Sequence, residues 1–276
     1  MPAERIAENL AYINWTVLAG LASGSLAAVV LGRLRTEATR GYLGFTALCS
    51  GILAALAVLA DDALPPTSGH LLAAIGWAEI RRTALVALAV LAIAFVISIR
   101  RDRRARLFGL AGVAAGLVAL GAGAIGWSDS AGPALLLFVQ LALLAGATGG
   151  VLAAMILGHW YLVTPRLGEG PLILFSRLLT WTVAAQLVLF VGATAIGLGP
   201  SGEAGFGALG GPWALFVWLR LVVGIVFPLV VSWAAIQTAR SRSMESATGL
   251  LYISVGTIAS GTILASGLYF GAGLLV

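Results

Sequence analysis

Apolar residues run along this chain in long unbroken stretches, at about residues 10–32, 41–60, 83–99, 107–127, 134–158, 172–198, 213–236 and 247–273, parted by short charged connections. A helix needs roughly 20 apolar residues to cross a hydrocarbon core about 30 Å thick, so each stretch can span with ordinary tilt. The ten-residue alternation of a membrane β-barrel strand is missing. Helices satisfy their own backbone donors and acceptors in lipid, so the pattern predicts an all-α polytopic membrane protein with eight transmembrane helices.

The connections alternate in charge. Arg33, Arg35 and Arg40 follow the first stretch, Arg100, Arg101, Arg103, Arg104 and Arg106 the third, Arg166 the fifth, and Arg240 and Arg242 the seventh; Asp61 with Asp62, Asp129 and Glu203 follow the others. Basic loops stay cytoplasmic, which puts both termini outside. The segment from Met1 to Asn9 has no clear cleavage site and reads as retained. Pro65-Pro66 breaks the chain, and residues 70–82 read as an interfacial helix on the outer surface, with Trp77, Glu79, Arg81 and Arg82 near its end. The glycine-rich stretch 197–212 reads as a flexible outer lid or partner contact.

A shift of 126 positions lays Gly20, Gly24, Leu26, Ala27, Ala28, Leu31 and Gly32 over Gly146, Gly150, Leu152, Ala153, Ala154, Leu157 and Gly158. This divides the chain into two four-helix units, residues 1–127 and 128–276. Four spans is an even number, so the copies share one orientation and form parallel repeats. Gly20 with Gly24, Gly146 with Gly150, and Gly256 with Ser260 each lie four apart on a helical face, where small residues let backbones approach closely in lipid.

Composition agrees with this picture: 60% of residues are hydrophobic and 10% charged. All 16 basic residues are arginine, in keeping with a GC-rich bacterial genome and the bacterial cytoplasmic (inner) membrane. They cluster beside apolar runs as topology signals, so the net charge of +5 does not imply nucleic-acid binding. The single cysteine, Cys49, excludes an internal disulfide.

Chemistry must come from few residues. No carboxylate occupies the middle of a span, which disfavours a carboxylate-driven pump. The polar groups that enter the spans are Gln140, Arg177, Gln186 and Arg220. An arginine at such depth is paired, snorkelled or functional; Arg177 can snorkel, and Arg220 is the deeper. His159, Trp160 and Tyr161 close the fifth stretch. They form either an aromatic belt anchoring the helix end or, with Arg177 across the turn at 165–171, a site that hydrogen-bonds a quinone's carbonyls or a haem propionate. The other histidine, His70, belongs to the opposite face, which disfavours bis-histidine haem and leaves a single-His haem through His159. Met155, His159 and Cys49 form no recognised metal spacing, and no nucleotide, phosphate-loop or catalytic-triad motif is present.

The run Tyr161-Leu162-Val163-Thr164-Pro165-Arg166-Leu167, followed by Phe175-Ser176-Arg177 and by Arg220, resembles the four-helix unit of copper resistance protein D-like membrane proteins. It is also somewhat similar to the four-helix protoporphyrinogen oxidase family. The resemblance covers the second half and implies copper handling or haem chemistry, although the additional histidines of those families are absent. Helix count alone gives an analogy to eight-span quinone-interacting respiratory subunits. The expectation is an integral membrane subunit or binding module, without autonomous catalysis, for an apolar carbonyl-bearing ligand such as a quinone. His159, Trp160, Tyr161, Arg177, Arg220, Gln140 and Gln186 are its contacts, and partner subunits of a respiratory or redox complex accompany it. The alternatives are a transporter of copper or a small anion with Arg220 on the path, and a non-catalytic scaffold.

Overall fold

A computed structural model describes residues 1–65, 75–164, 167–201 and 204–276, and these are all-helical apart from turns and connections. Eight helices are long and apolar enough to cross a membrane. They are α1 (Leu10–Arg35), α2 (Arg40–Asp62), α3 (Ile75–Ser98), α4 (Asp102–Gly126), α5 (Ala131–Val163), α6 (Gly170–Ile196), α7 (Ala214–Arg240) and α8 (Met244–Ala272). A short helix, Pro2–Glu8, lies against the end of α8 with Ile6 on Gly267.

The spans bury most of their polar residues beside large apolar ones such as Leu26, Leu88 and Phe95, and turn further large apolar residues outward. Ser23, Ser25, Thr46, Ser50, Thr148 and Ser254 are buried, whereas Ile52, Leu56 and Leu59 of α2, Val86, Val90, Ile93 and Ile97 of α3, and Val222, Val226, Val230 and Trp233 of α7 are exposed. These exposed residues recur three or four apart, so each helix presents a continuous apolar stripe suited to lipid tails. The buried hydroxyls bond mostly to carbonyls a turn earlier in their own helix, as Thr148 Oγ1 does to Leu144 O at 2.8 Å. Few therefore remain as unpaired polar groups in an apolar interior.

Helices α1 and α5 pack on each other at the centre; α2, α3 and α4 close a ring on α1, and α6, α7 and α8 close another on α5. The central crossing is backbone to backbone. A Cβ at Gly24 would fall inside the main chain of Ala145, and one at Gly149 inside that of Gly24 and Ser25. The small-residue expectation thus holds at Gly20 and Gly24 but shifts on the partner, where Gly146 faces Thr182 and Gly150 faces open space. On α8 the contact glycine is Gly261 rather than Gly256.

Polar contacts tie each end of the bundle. At the arginine-rich end Arg33 Nη2 donates to Asp102 Oδ1 at 2.7 Å and Ile99 O at 3.1 Å, and Arg242 pairs with Glu169 at 3.1 Å. At the aspartate end Arg81 meets Asp61, with both side chains buried, and Arg82 meets Asp62 at 2.8 Å. These last pairs correct the expected interfacial helix: from Ile75 onward its described part is the opening of α3, continuous to Ser98. Carboxylates closing α2 give Arg81 and Arg82 partners beside that end, so no break from the span is needed. Residues 66–74, with Pro66 and His70, lie outside the described residues.

The expected lid at 197–212 is pinned over its described part. Gly205 N and Phe206 N donate to Ala195 O and Thr194 O at 2.9 Å, Ser201 N donates to Gly273 O at 3.1 Å, and Ala208 is buried. Gly197 at φ 70° makes the left-handed cap that turns the chain back onto α6. Glu203 lies outside the described residues.

Candidate functional site

The site grows from one span. On α7, Arg220, Gly224 and Pro228 follow one another at four-residue intervals, so they stack on one face. Pro228 has no N–H to return to the carbonyl four residues earlier, that of Gly224. Across this gap residues 222–226 widen into a π-turn, and Arg220 Nη1 donates to Gly224 O at 3.1 Å. The arginine therefore serves a main-chain acceptor that the proline has deprived of its usual partner. Side chains re-satisfy freed backbone groups in this way where proline interrupts a spanning helix, and such π-turns are frequent at functional sites.

Space for the guanidinium comes from glycine. Gly224 faces Gly261 of α8 so closely that a Cβ on Gly261 would stand 3.0 Å from Arg220 Nη1 and 2.9 Å from Gly224 O. Arg220 ends up 2% exposed, one of the largest fully buried side chains. Its Nη2 donates to Gln186 Oε1 at 2.9 Å, and Gln186 Nε2 donates in turn to Leu143 O of α5 at 2.9 Å. Its Nε makes a long 3.5 Å contact to the main-chain oxygen of Val276, which also accepts from Gln140 Nε2 at 3.2 Å. Gln140 Oε1 is buried without a partner.

No aspartate or glutamate side chain among the described residues pairs with Arg220. The guanidinium carries five N–H donors, of which these contacts engage three. The oxygens of Gln186, Gly224 and Val276 thus meet a buried cation and leave donors over, together with the free acceptor of Gln140.

At 1.5 Å per residue, Gln140, Gln186 and Arg220 lie about 10–15 Å inside the aspartate end of their helices. A cavity of about 640 Å³ opens above them, bounded by Trp127 and Asp129 after α4, Leu136 of α5, Leu198 and Pro200 after α6, and Leu275. Beside it an ionic and aromatic cluster joins the two rings. Arg81 lies 4.9 Å from the Trp127 ring and 5.7 Å from that of Trp15, and Tyr12 stacks on Phe270 at 5.0 Å.

The residues expected to form one site fall into two groups. Gln140, Gln186 and Arg220 come together. His159, Trp160, Tyr161 and Arg177 lie toward the arginine-rich end, where α5 continues to Val163 and holds the first three within its last turns. Two residues apart on a helix point to nearly opposite faces: His159 is exposed, while Tyr161 is buried and its hydroxyl donates to Gly168 O at 2.5 Å. Trp160 is half-buried against Gly41, and Arg177 is exposed. No hydrogen bond joins His159 to Arg177, and Arg166 lies outside the described residues. Gly224, Gly261, Val276 and the Arg81 cluster went unread in the sequence. The spacing of Arg220, Gly224 and Pro228 was the signal available for the first of these.

Comparison with protein-family models, curated proteins and solved structures finds no match for this chain.

Proposed function

We propose that the protein is a multi-pass module of a bacterial cytoplasmic membrane, its arginine-rich end inside and both termini outside, that binds an apolar carbonyl-bearing ligand such as a quinone. The loop charges support this orientation through the positive-inside rule. The shared glycine pattern and the two rings, each of four helices, favour descent from a duplicated unit of residues 1–127 and 128–276. The ligand reading rests on one observation: a fully buried guanidinium that no Asp or Glu side chain among the described residues meets, with N–H donors to spare, beside an unpaired Gln140 oxygen. Buried polar groups of this kind are usually satisfied, and an exception marks a place for a missing partner. A carbonyl oxygen is such a partner for Arg220, and a hydroxyl or the reduced form of a quinone is one for Gln140.

Asp129 on the wall of the overlying cavity weighs against the small-anion alternative, because its charge opposes an approaching anion. For copper, the described residues hold no group of three or more His, Cys, Asp and Glu side chains able to take a metal. The protein acts as a subunit that positions its ligand for partner redox proteins.

Titration of the purified protein in nanodiscs with a short-chain ubiquinone, read by tryptophan quenching, tests the reading. Saturable binding should weaken at least about tenfold in Arg220→Gln, the cost of roughly one charge-assisted hydrogen bond, and persist in His159→Ala with Arg177→Ala. Loss confined to the His159 and Arg177 variant would move the site to the arginine-rich end. No saturable binding by the unaltered protein would end the quinone reading.

A further inference from the structure

Positive charge gathers at the arginine-rich end of the first ring. Arg33 and Arg35 close α1, Arg40 opens α2, and Arg100, Arg101, Arg103, Arg104 and Arg106 surround the start of α4, against Glu37 and Asp102. A topology signal needs only exposed arginines. Here three of them instead line a cavity of about 210 Å³, bounded by Arg33 of α1, Arg40 and Leu43 of α2, Asp102 and Arg106 of α4, and the turn at Thr36.

The walls of this cavity are fixed. The Arg33 side chain is 9% exposed, its Nη2 donates to Ile99 O and Asp102 Oδ1, and its guanidinium lies 5.7 Å from the centre of the Phe95 ring. Thr36 ties the turn: its N–H and its hydroxyl both donate to Gly32 O, at 2.9 and 2.6 Å, and its hydroxyl oxygen accepts from Ala38 N at 3.3 Å. That hydroxyl is spent on the main chain, so the side-chain donors left to the cavity are guanidinium N–H groups. Arg40 and Arg106 are exposed and pair with no carboxylate among the described residues, and Arg33 Nε and Nη1 carry no hydrogen bond there. The one carboxylate on the wall, Asp102, is already engaged by Arg33. Helices α2 and α4 both begin at the cavity and add the positive ends of their dipoles. An oxyanion is the complement of such a place.

We propose that this cavity binds the phosphate of an anionic lipid headgroup, with Arg40 and Arg106 meeting its oxygens and Arg33 supplying a fixed donor. The level of the cavity favours a lipid as the source of the phosphate. Exposed apolar surface begins beside these arginines: Leu107 directly follows Arg106, and Phe45 lies five residues beyond Arg40, about 7.5 Å along the helix. The arginines therefore stand where headgroups give way to tails. Basic pockets between spanning helices recognise anionic headgroups through this combination of charge and depth. A volume of about 210 Å³, below the roughly 300–1,000 Å³ of pockets that enclose a whole small molecule, suits a headgroup whose tails stay in the bilayer. The site lies at the opposite end of the bundle from Gln140, Gln186 and Arg220, and it stands independently of the carbonyl-ligand reading.

Isothermal titration calorimetry of the full protein in dodecylmaltoside, with dihexanoyl phosphatidylglycerol and separately with inorganic phosphate, tests the assignment. The expected result is saturable binding of the lipid, weakened at least about tenfold when Arg40→Gln and Arg106→Gln are combined, since two charge-assisted hydrogen bonds are lost. Combining Arg103→Gln with Arg104→Gln removes the same charge from α4 outside the cavity and should change the affinity less than about twofold. All four of these arginines are exposed, so both paired variants should keep the unaltered protein's tryptophan fluorescence. Inorganic phosphate bound more tightly than the lipid, with the same dependence on Arg40 and Arg106, overturns the lipid source and keeps a phosphate site. Equal weakening in both paired variants, or no saturable binding of either probe by the unaltered protein, overturns the site itself.

Discussion

Asp61 and Arg81 offer the sharpest energetic test of the bundle. Their side chains are 5% and 6% exposed and meet at 2.5 Å, and the guanidinium also lies over the Trp127 and Trp15 rings. Replacing Asp61 by Ala strands a buried arginine, which costs about 3–5 kcal/mol where a buried pair loses one member. The two ring contacts survive, each worth roughly 0.5–2 kcal/mol, so the expected loss lies near the lower bound, about 3 kcal/mol. Arg81→Met strands the carboxylate without that relief and should cost about 4–5 kcal/mol. The double variant leaves no buried charge and should lie within about 1–2 kcal/mol of the unaltered protein, since replacing both partners of a buried pair is often near neutral. Equilibrium unfolding in mixed dodecylmaltoside and SDS micelles, followed by tryptophan fluorescence, measures all three. The reasoning predicts a strongly non-additive cycle. Single losses below about 1 kcal/mol that simply add would refute it, because that is the behaviour of an exposed pair.

Other substitutions probe separate links. Gly149→Val places a side chain inside the Gly24 backbone, so α1 and α5 must part; a loss of at least about 1–3 kcal/mol is expected in the same unfolding assay. Arg33→Ala removes a pair whose Asp102 side chain is 70% exposed and should cost less than about 1 kcal/mol from the ion pair. Pro228→Ala returns an N–H that competes with Arg220 for Gly224 O, so unfolding stability should hold or rise while short-chain quinone binding changes. Equal binding and stability in that variant would detach the π-turn from the site.

The fold was legible because a membrane span writes itself into composition: long apolar runs and alternating loop charges specify helices and their order with little help from tertiary contacts. Helix ends were harder. Arg81 and Arg82 made residues 70–82 look amphipathic, since nothing local reveals that Asp61 and Asp62 of the preceding helix are their partners. Glycine registers slipped for a related reason: Gly149 and Gly150 are adjacent in sequence, and only the crossing of α1 with α5 decides which one faces the partner. At the site, Gln140, Gln186 and Arg220 stood out as polar residues in apolar runs. Their convergence across three helices, and the arrival of Val276 from the far end of the chain, depend on contacts that no local pattern encodes. The His159, Trp160 and Tyr161 run looked like one cluster because adjacency in sequence hides the rotation of about 100° per helical residue that separates side chains.

The central claim is that a buried arginine, met by no Asp or Glu side chain among the described residues, marks a binding place for a carbonyl compound of the membrane. Protein purified from native membranes in mild detergent can be extracted with organic solvent and its lipids quantified by mass spectrometry beside an Arg220→Gln variant prepared identically. The account predicts a prenylated quinone retained in near-stoichiometric amount by the unaltered protein and depleted from the variant. Equal quinone in both, at the level of the bulk membrane, would contradict it.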